Sequence, residues 1–182
     1  MTTEQGFAQW RSNGAIYRGW AMVKNGYVVE GMSILRSGST ALRATGAEAG
    51  TPNNIALLAE AYEISGQIEE AWTLLDQALQ AAKRTGERLY DAELYRHKGR
   101  LLLSRGKFDD AEKLYRKALS IAWEQEAKLW ELRAAASLAR LRRDQDRRTE
   151  AFDLLASIYG WFIEGFDTPD LKEAKAPLEE LG

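Results

Sequence analysis

The chain repeats itself. The windows "NGYVVEGMSILRSGSTAL" from residue 25, "SGQIEEAWTLLDQALQAA" from 65, "RGKFDDAEKLYRKALSIA" from 105 and "QDRRTEAFDLLASIYGWF" from 145 start 40 residues apart each time. A period of this length marks stacked supersecondary units, none of which can bury its own apolar face alone. It constrains the fold more than any other feature, because whatever one window forms, all four must form.

That structure is helical. Within 106–122, Phe108, Ala111, Leu114, Tyr115, Ala118, Leu119 and Ala122 recur at three- and four-residue steps, one stripe on a helix and not the alternation of a strand. Three prolines in 182 residues leave helix unbroken nearly everywhere. Each unit has room for two helices, expected in the second unit at about 52–65 and 68–84. Gly66 divides that pair, Gly26 and Gly106 sit at equivalent points, and Asp146 stands there in the fourth unit. A second series, Gly6, Gly46 and Gly86, closes the units, with Glu126 breaking it. Helices commonly end on a left-handed residue, and glycine takes that shape without a Cβ clash. Thr51 reads as an N-cap ahead of Pro52. Small residues keep phase as well: Gly19, Ala59, Gly99 and Ala139 in the first helices, and Gly31, Ala71, Ala111 and Ala151 at the start of the second. They predict close approach within each pair.

The order of small and large residues in "LLAEAYEISGQIEEAWTLLDQAL" and "KGRLLLSRGKFDDAEKLYRKAL" resembles the tetratricopeptide repeat. Leu58, Ala59 and Tyr62 match its first helix, and Ala71, Leu75 and Ala78 its second. Gly99, Ala111, Tyr115 and Ala118 match in the third unit. That family's usual period is about 34, so these units carry longer helices. HEAT-type repeats also run near this length, but the phase of the small residues favours the tetratricopeptide pattern. The resemblance implies an all-α, right-handed superhelix of helix-turn-helix units forming a single array over 1–182. Its parts are a truncated repeat's tail at 1–6, repeats at 7–46, 47–86, 87–126 and 127–166, and a capping helix at 167–182. A closer resemblance lies in "TEQGFAQW", "RGWAM", "LLAEAY", "TGERLYDAELYRHKG", "LRAAASLARL" and "YGWFIEGFDTPDLKEAKAPLEEL". These look like the C-terminal repeat region of bacterial signalling proteins that join a nucleotide cyclase domain, or a LuxR- or MalT-like regulator, to an NTPase domain. Departures from the pattern are Arg142 in place of a large aromatic, Asp146 in place of glycine, and Pro177 inside the last helix.

The two ends differ. Asp167 or Thr168 can cap a last helix with Pro169 in its first turn. Leu171, Ala174, Leu178 and Leu181 then form its apolar stripe, and Asp170, Lys172, Glu173, Lys175, Glu179 and Glu180 are left for water. Pro177 is expected to kink it. The N-terminus has no such cap, so the outer face of the first helix, near Trp10 and Tyr17, is expected to be apolar, unpartnered and prone to self-association.

Catalytic chemistry is scarce. With no cysteine and one histidine, the chain has no disulfide, no thiolate nucleophile, no Cys-based zinc site and no second ligand for His97. Neither GxxxxGK[ST] nor GxGxxG occurs, so no phosphate cradle is visible. Glu69–Glu70 and Asp109–Asp110 read as helix starts favoured by the dipole. The expectation is a protein without enzymatic activity, cofactor or metal. The start "MTTEQGFAQW" is unlike a signal peptide and no long apolar run occurs, which points to a cytoplasmic protein without membrane partners. The 25 basic residues against 27 acidic give no global pull toward nucleic acid.

What remains is surface recognition. The resemblance implies a concave groove lined by the first helices. By repeat phase its candidates are Asn13, Ile16, Trp20 and Lys24, then Asn53, Glu60 and Glu63, then Glu93, Arg96, His97 and Arg100, then Arg133, Arg140 and Arg143. Asn13 and Asn53 suit a peptide backbone. The arginines of the third and fourth units suit carboxylates or phosphates in fork geometry. The expected partner is therefore a protein or peptide, acidic in character. The alternative is a nucleic acid held on the same arginines.

Overall fold

The computed structural model describes residues 3–47 and 50–181. Among them the chain forms nine helices and no strand: α1 (Thr3–Lys24), α2 (Val28–Ala44), α3 (Thr51–Ile64), α4 (Ile68–Thr85), α5 (Asp91–Ser104), α6 (Phe108–Glu124), α7 (Lys128–Arg143), α8 (Arg148–Tyr159) and α9 (Pro169–Leu181). They group into two units, residues 1–90 with α1–α4 and residues 91–182 with α5–α9.

The sequence period is written into the backbone. The second helices begin at Val28, Ile68, Phe108 and Arg148, 40 residues apart. The turns before them hold a left-handed residue each time: Gly26, Gly66, Gly106 and Asp146, with φ of 89°, 79°, 70° and 61°. The second series does the same at Gly46, Gly86 and Glu126, with φ of 70°, 78° and 54°. Glu126 and Asp146 therefore adopt the glycine conformation without being glycine. Gly6 departs from its series: it lies inside α1, which runs from Thr3. The beginning of α3 also differs. Gly50, not Thr51, is the N-cap, and the Glu87 carboxylate accepts the Gly50 N–H at 2.9 Å. In α4 the first turn carries Glu69 and Glu70 and the last Lys83 and Arg84, each sign matched to its end of the helix dipole.

In the first unit α1 and α2 meet at glycines. A Cβ on Gly19 would lie 2.7 Å from the Gly31 carbonyl oxygen, and one on Gly31 would lie 2.7 Å from that of Gly19. Val23, Met32, Leu35, Leu58 and Ala61 form the core beside that contact. Ile16, expected on the groove, is fully buried instead. In the second unit the Tyr115 ring fills the space over Gly99, where a Cβ would stand 2.6 Å from it. Leu132, Ala135, Ala139, Ala151 and Leu155 form the core there, and α9 adds Leu171 and Ala174. Tyr159 and Phe162 pack at its edge, whereas Trp161 stands out under the Lys128 ammonium, 4.3 Å from the ring centre.

Helix α9 stays helical across Pro177. Proline has no N–H for the carbonyl one turn earlier, that of Glu173. Arg140 from α7 supplies the missing donor, its Nη2 lying 3.0 Å from the Glu173 oxygen. The proline that was expected to disturb the helix thus opens a bond to the next one.

Candidate functional site

The first helices of neighbouring pairs are tied by polar side chains. In the first unit, Trp20 Nε1 donates to Glu60 Oε2 at 2.7 Å, and Lys24 donates to Glu60 Oε1 at 3.0 Å. Asn54 donates to Asn13 at 3.2 Å, and Asn53 donates to the Tyr17 hydroxyl at 2.9 Å. Of the sequence candidates, Asn13, Trp20, Asn53 and Glu60 therefore share one strip, but as partners of residues on the neighbouring helix. Tyr17 belongs to this strip as well, so it is not the unpartnered outer residue expected. Phe7 and Trp10 are exposed on α1.

In the second unit the strip is built around Glu93. This carboxylate is buried, grips Arg96 through two bonds of 2.7 and 2.8 Å, and accepts from Arg133 at 3.3 Å. His97, also buried, has Nε2 3.8 Å from Glu93 and Nδ1 3.0 Å from an Arg100 nitrogen. Since arginine only donates, Nδ1 there is the acceptor. Burial pushes the Glu93 carboxyl up, but Arg96, by charge and hydrogen bond, with Arg133, overrides it and holds the pKa down at about 2.

Arg133, Arg140 and Arg143 of α7 are already engaged. Arg133 binds Asp170 through two bonds of 2.5 and 2.9 Å, Arg140 approaches the Glu173 carboxylate at 3.8 Å, and Arg143 pairs with Glu180 and Asp144. Asp170, expected to face water, is instead partly buried against Arg133, while Glu173 and Glu180 stay exposed as expected, and the three form an acidic row laid along α7. The repeat phase carried the signal: 167–182 falls where a fifth unit would begin, so its polar face meets α7 as α7's own meets α5.

Residues 51–124 match the family model described as tetratricopeptide repeat. The fold is the tetratricopeptide-repeat fold. Two crystal structures of a Podosopora anserina protein assigned as a kinesin light chain, with nearly identical TPR-like repeats, superpose with TM-scores of 0.69 and 0.68. Each is 20% identical, covering 95% of this chain and 85% and 86% of those chains. BtubC (BKLC) from P. vanneervenii superposes with a TM-score of 0.66 at 16% identity, covering 99% of this chain and 84% of that one. None of the curated proteins matches the chain in sequence. Tetratricopeptide repeats generally mediate protein–protein interaction, and their fold is typically a non-enzymatic scaffold. Among the described residues no helix is long and apolar enough to cross a membrane.

Proposed function

We propose that this chain is a non-catalytic scaffold in the regulatory or sensor region of a bacterial signalling protein, holding a protein or peptide on the polar strips that the first helices form within each unit. The observation that supports the reading is the cross-bracing of those strips. Trp20 is held by Glu60, and Arg133 by Glu93 and Asp170. A partner would meet side chains already in place and lose little in ordering them. An acidic segment of that partner would have to take Arg133, Arg140 and Arg143 over from Asp170, Glu173 and Glu180, the carboxylates that hold them here. The signalling context rests on the resemblance of segments such as "YGWFIEGFDTPDLKEAKAPLEEL".

The test is capture of partners by the parent and by a variant with Arg96→Glu, Arg100→Glu and Arg140→Glu, with the exposed Lys113→Glu as control. A partner kept by the control and lost by the triple variant supports the strip, and equal capture by all three refutes it. An in-frame cyclase or NTPase segment in the DNA upstream of Met1 is the matching test of the signalling context. Nucleic acid is the competing partner. The α7 arginines are answered by an acidic row, which leaves little net positive field there, so affinity for DNA should be weak at low salt and not fall steeply as salt rises. Self-association through the exposed Phe7 and Trp10 of α1 is read from the same chain by sedimentation across a concentration series.

A further inference from the structure

The groove between α6 and α8, floored by α7, contains a buried cation. It has a volume of about 440 Å³ and is walled by Leu119, Trp123, Leu154 and Ile158, with Arg142 on its floor. Arg142 is 7% exposed. Its Nε has no hydrogen-bond partner, Nη1 reaches only the Glu150 carbonyl at 3.3 Å, and Nη2 is 3.6 Å from Glu112 Oε1. Glu112 is mostly taken up by other arginines. One carboxylate oxygen already accepts two bonds from Arg116, at 3.0 and 2.7 Å, and the other accepts one from Arg147 at 2.8 Å. Three guanidiniums thus share Glu112 and Glu150.

The first unit shows what this place holds otherwise. Two periods earlier, Arg142 corresponds to Tyr62, Glu112 to Met32, and Arg116 to Arg36. There Met32 and Tyr62 pack with the core, and the Arg36 guanidinium lies 4.9 Å from the Tyr62 ring centre. The second unit has exchanged an apolar contact for a charged cluster at the same point of the repeat. A buried arginine short of acceptors is costly unless a further anion joins it. Burial, with Arg116 and Arg147 nearby, pushes the Arg142 pKa down against the pull of Glu112, the environment expected around a cation lacking counter-charge.

We propose that this groove binds a small amphiphilic carboxylate, its carboxylate on the Arg142 guanidinium and its apolar body on Trp123, Leu119, Leu154 and Ile158. A planar carboxylate matches the guanidinium fork. The volume falls within the range of small-ligand sites, and a few polar anchors in an apolar groove are their usual composition. The site lies apart from the polar strip of the first helices and does not depend on its partner.

The experiment titrates octanoate into the full chain by calorimetry and follows the Trp123 indole N–H by NMR. Octanol, acetate and inorganic phosphate are compared at the same concentrations. The expected result is saturable octanoate binding that shifts the Trp123 signal, with the other three much weaker. Arg142→Tyr installs the residue type found at 62, so it should fold and melt at or above the parent temperature while losing octanoate affinity by about tenfold or more. Trp123→Ala, at an exposed position, should leave the melt unchanged and weaken binding several-fold. The proposal is overturned if octanoate leaves Trp123 unmoved, if octanol, acetate or phosphate binds as tightly, or if Arg142→Tyr and Trp123→Ala both bind octanoate like the parent.

Discussion

Every 20 residues from 26 to 146 the backbone turns left-handed, and only Glu126 and Asp146 do so with a Cβ. For an L-residue this conformation costs about 1–2 kcal/mol, less for Asp, whose short side chain bonds locally. Glu126→Gly should therefore stabilise the chain by about 0.5–1 kcal/mol after the extra unfolded-state freedom of glycine is subtracted, and Asp146→Gly by less. Urea unfolding of the two variants checks both sign and order, and a Glu126→Gly chain no more stable than the parent would show that the strain is relieved elsewhere. Two glycines of α1 make the opposite case. Nothing lies within 4 Å of a Cβ at Gly14, so Gly14→Ala should add about 0.5–1 kcal/mol through helix propensity. At Gly19 a Cβ would strike the Leu35 N at 2.6 Å and the Gly31 oxygen at 2.7 Å, both backbone atoms, so Gly19→Ala should cost about 1–3 kcal/mol. Thermal unfolding of the two alanine variants side by side decides it, since propensity alone would stabilise both.

Among elements, polar contacts decide how the helices of a unit are tied. Glu93 joins α5 to α7, and its folded pKa of about 2 lies below its ordinary 4.5. The folded chain then binds fewer protons than the unfolded one. The stabilisation is complete above about pH 4.5 and is lost as pH falls toward 2, a total on the order of 3 kcal/mol. Glu93→Gln should flatten that acid limb in melts recorded from pH 5 to pH 2. A limb as steep as the parent's would assign the acid sensitivity to other carboxylates. The helices themselves were legible in the sequence, because the 40-residue period, the turn glycines and the apolar stripes fix where each begins. The acidic row of α9 was not. An amphipathic pattern tells which side of a helix leaves water, and Leu171 and Ala174 obeyed it, but it is silent on what the neighbouring helix offers the polar side. Asp170 read as solvated for that reason, and only Glu173 and Glu180 of the row are exposed. Tyr17 and Ile16 were misplaced in a related way: one step along α1 separates the strip from the core, and phase alone did not resolve it.

For the whole molecule, the net charge of −2 conceals an internal settlement. Arg133, Arg140 and Arg143 of α7 are matched by acids of α9, and the same helix closes the core over Leu132, Ala135 and Ala139. Cap and counter-charge are therefore one element, and removing residues 167–182 tests both. Truncation uncovers an apolar face and at once takes Asp170 from Arg133 and Glu180 from Arg143, which keep Glu93 and Asp144. The truncated chain should melt well below the parent and self-associate in sedimentation, since an unburied repeat face seeks another surface. The two effects separate by substitution. Asp170→Asn with Glu180→Gln keeps the apolar stripe of α9, and with one part-buried pair of two bonds and one exposed pair weakened should lower stability by about 1–3 kcal/mol, leaving the chain as monodisperse as the parent. If the double variant associates as the truncated chain does, the acids and not the apolar stripe keep α9 in place, and the cap is an electrostatic one.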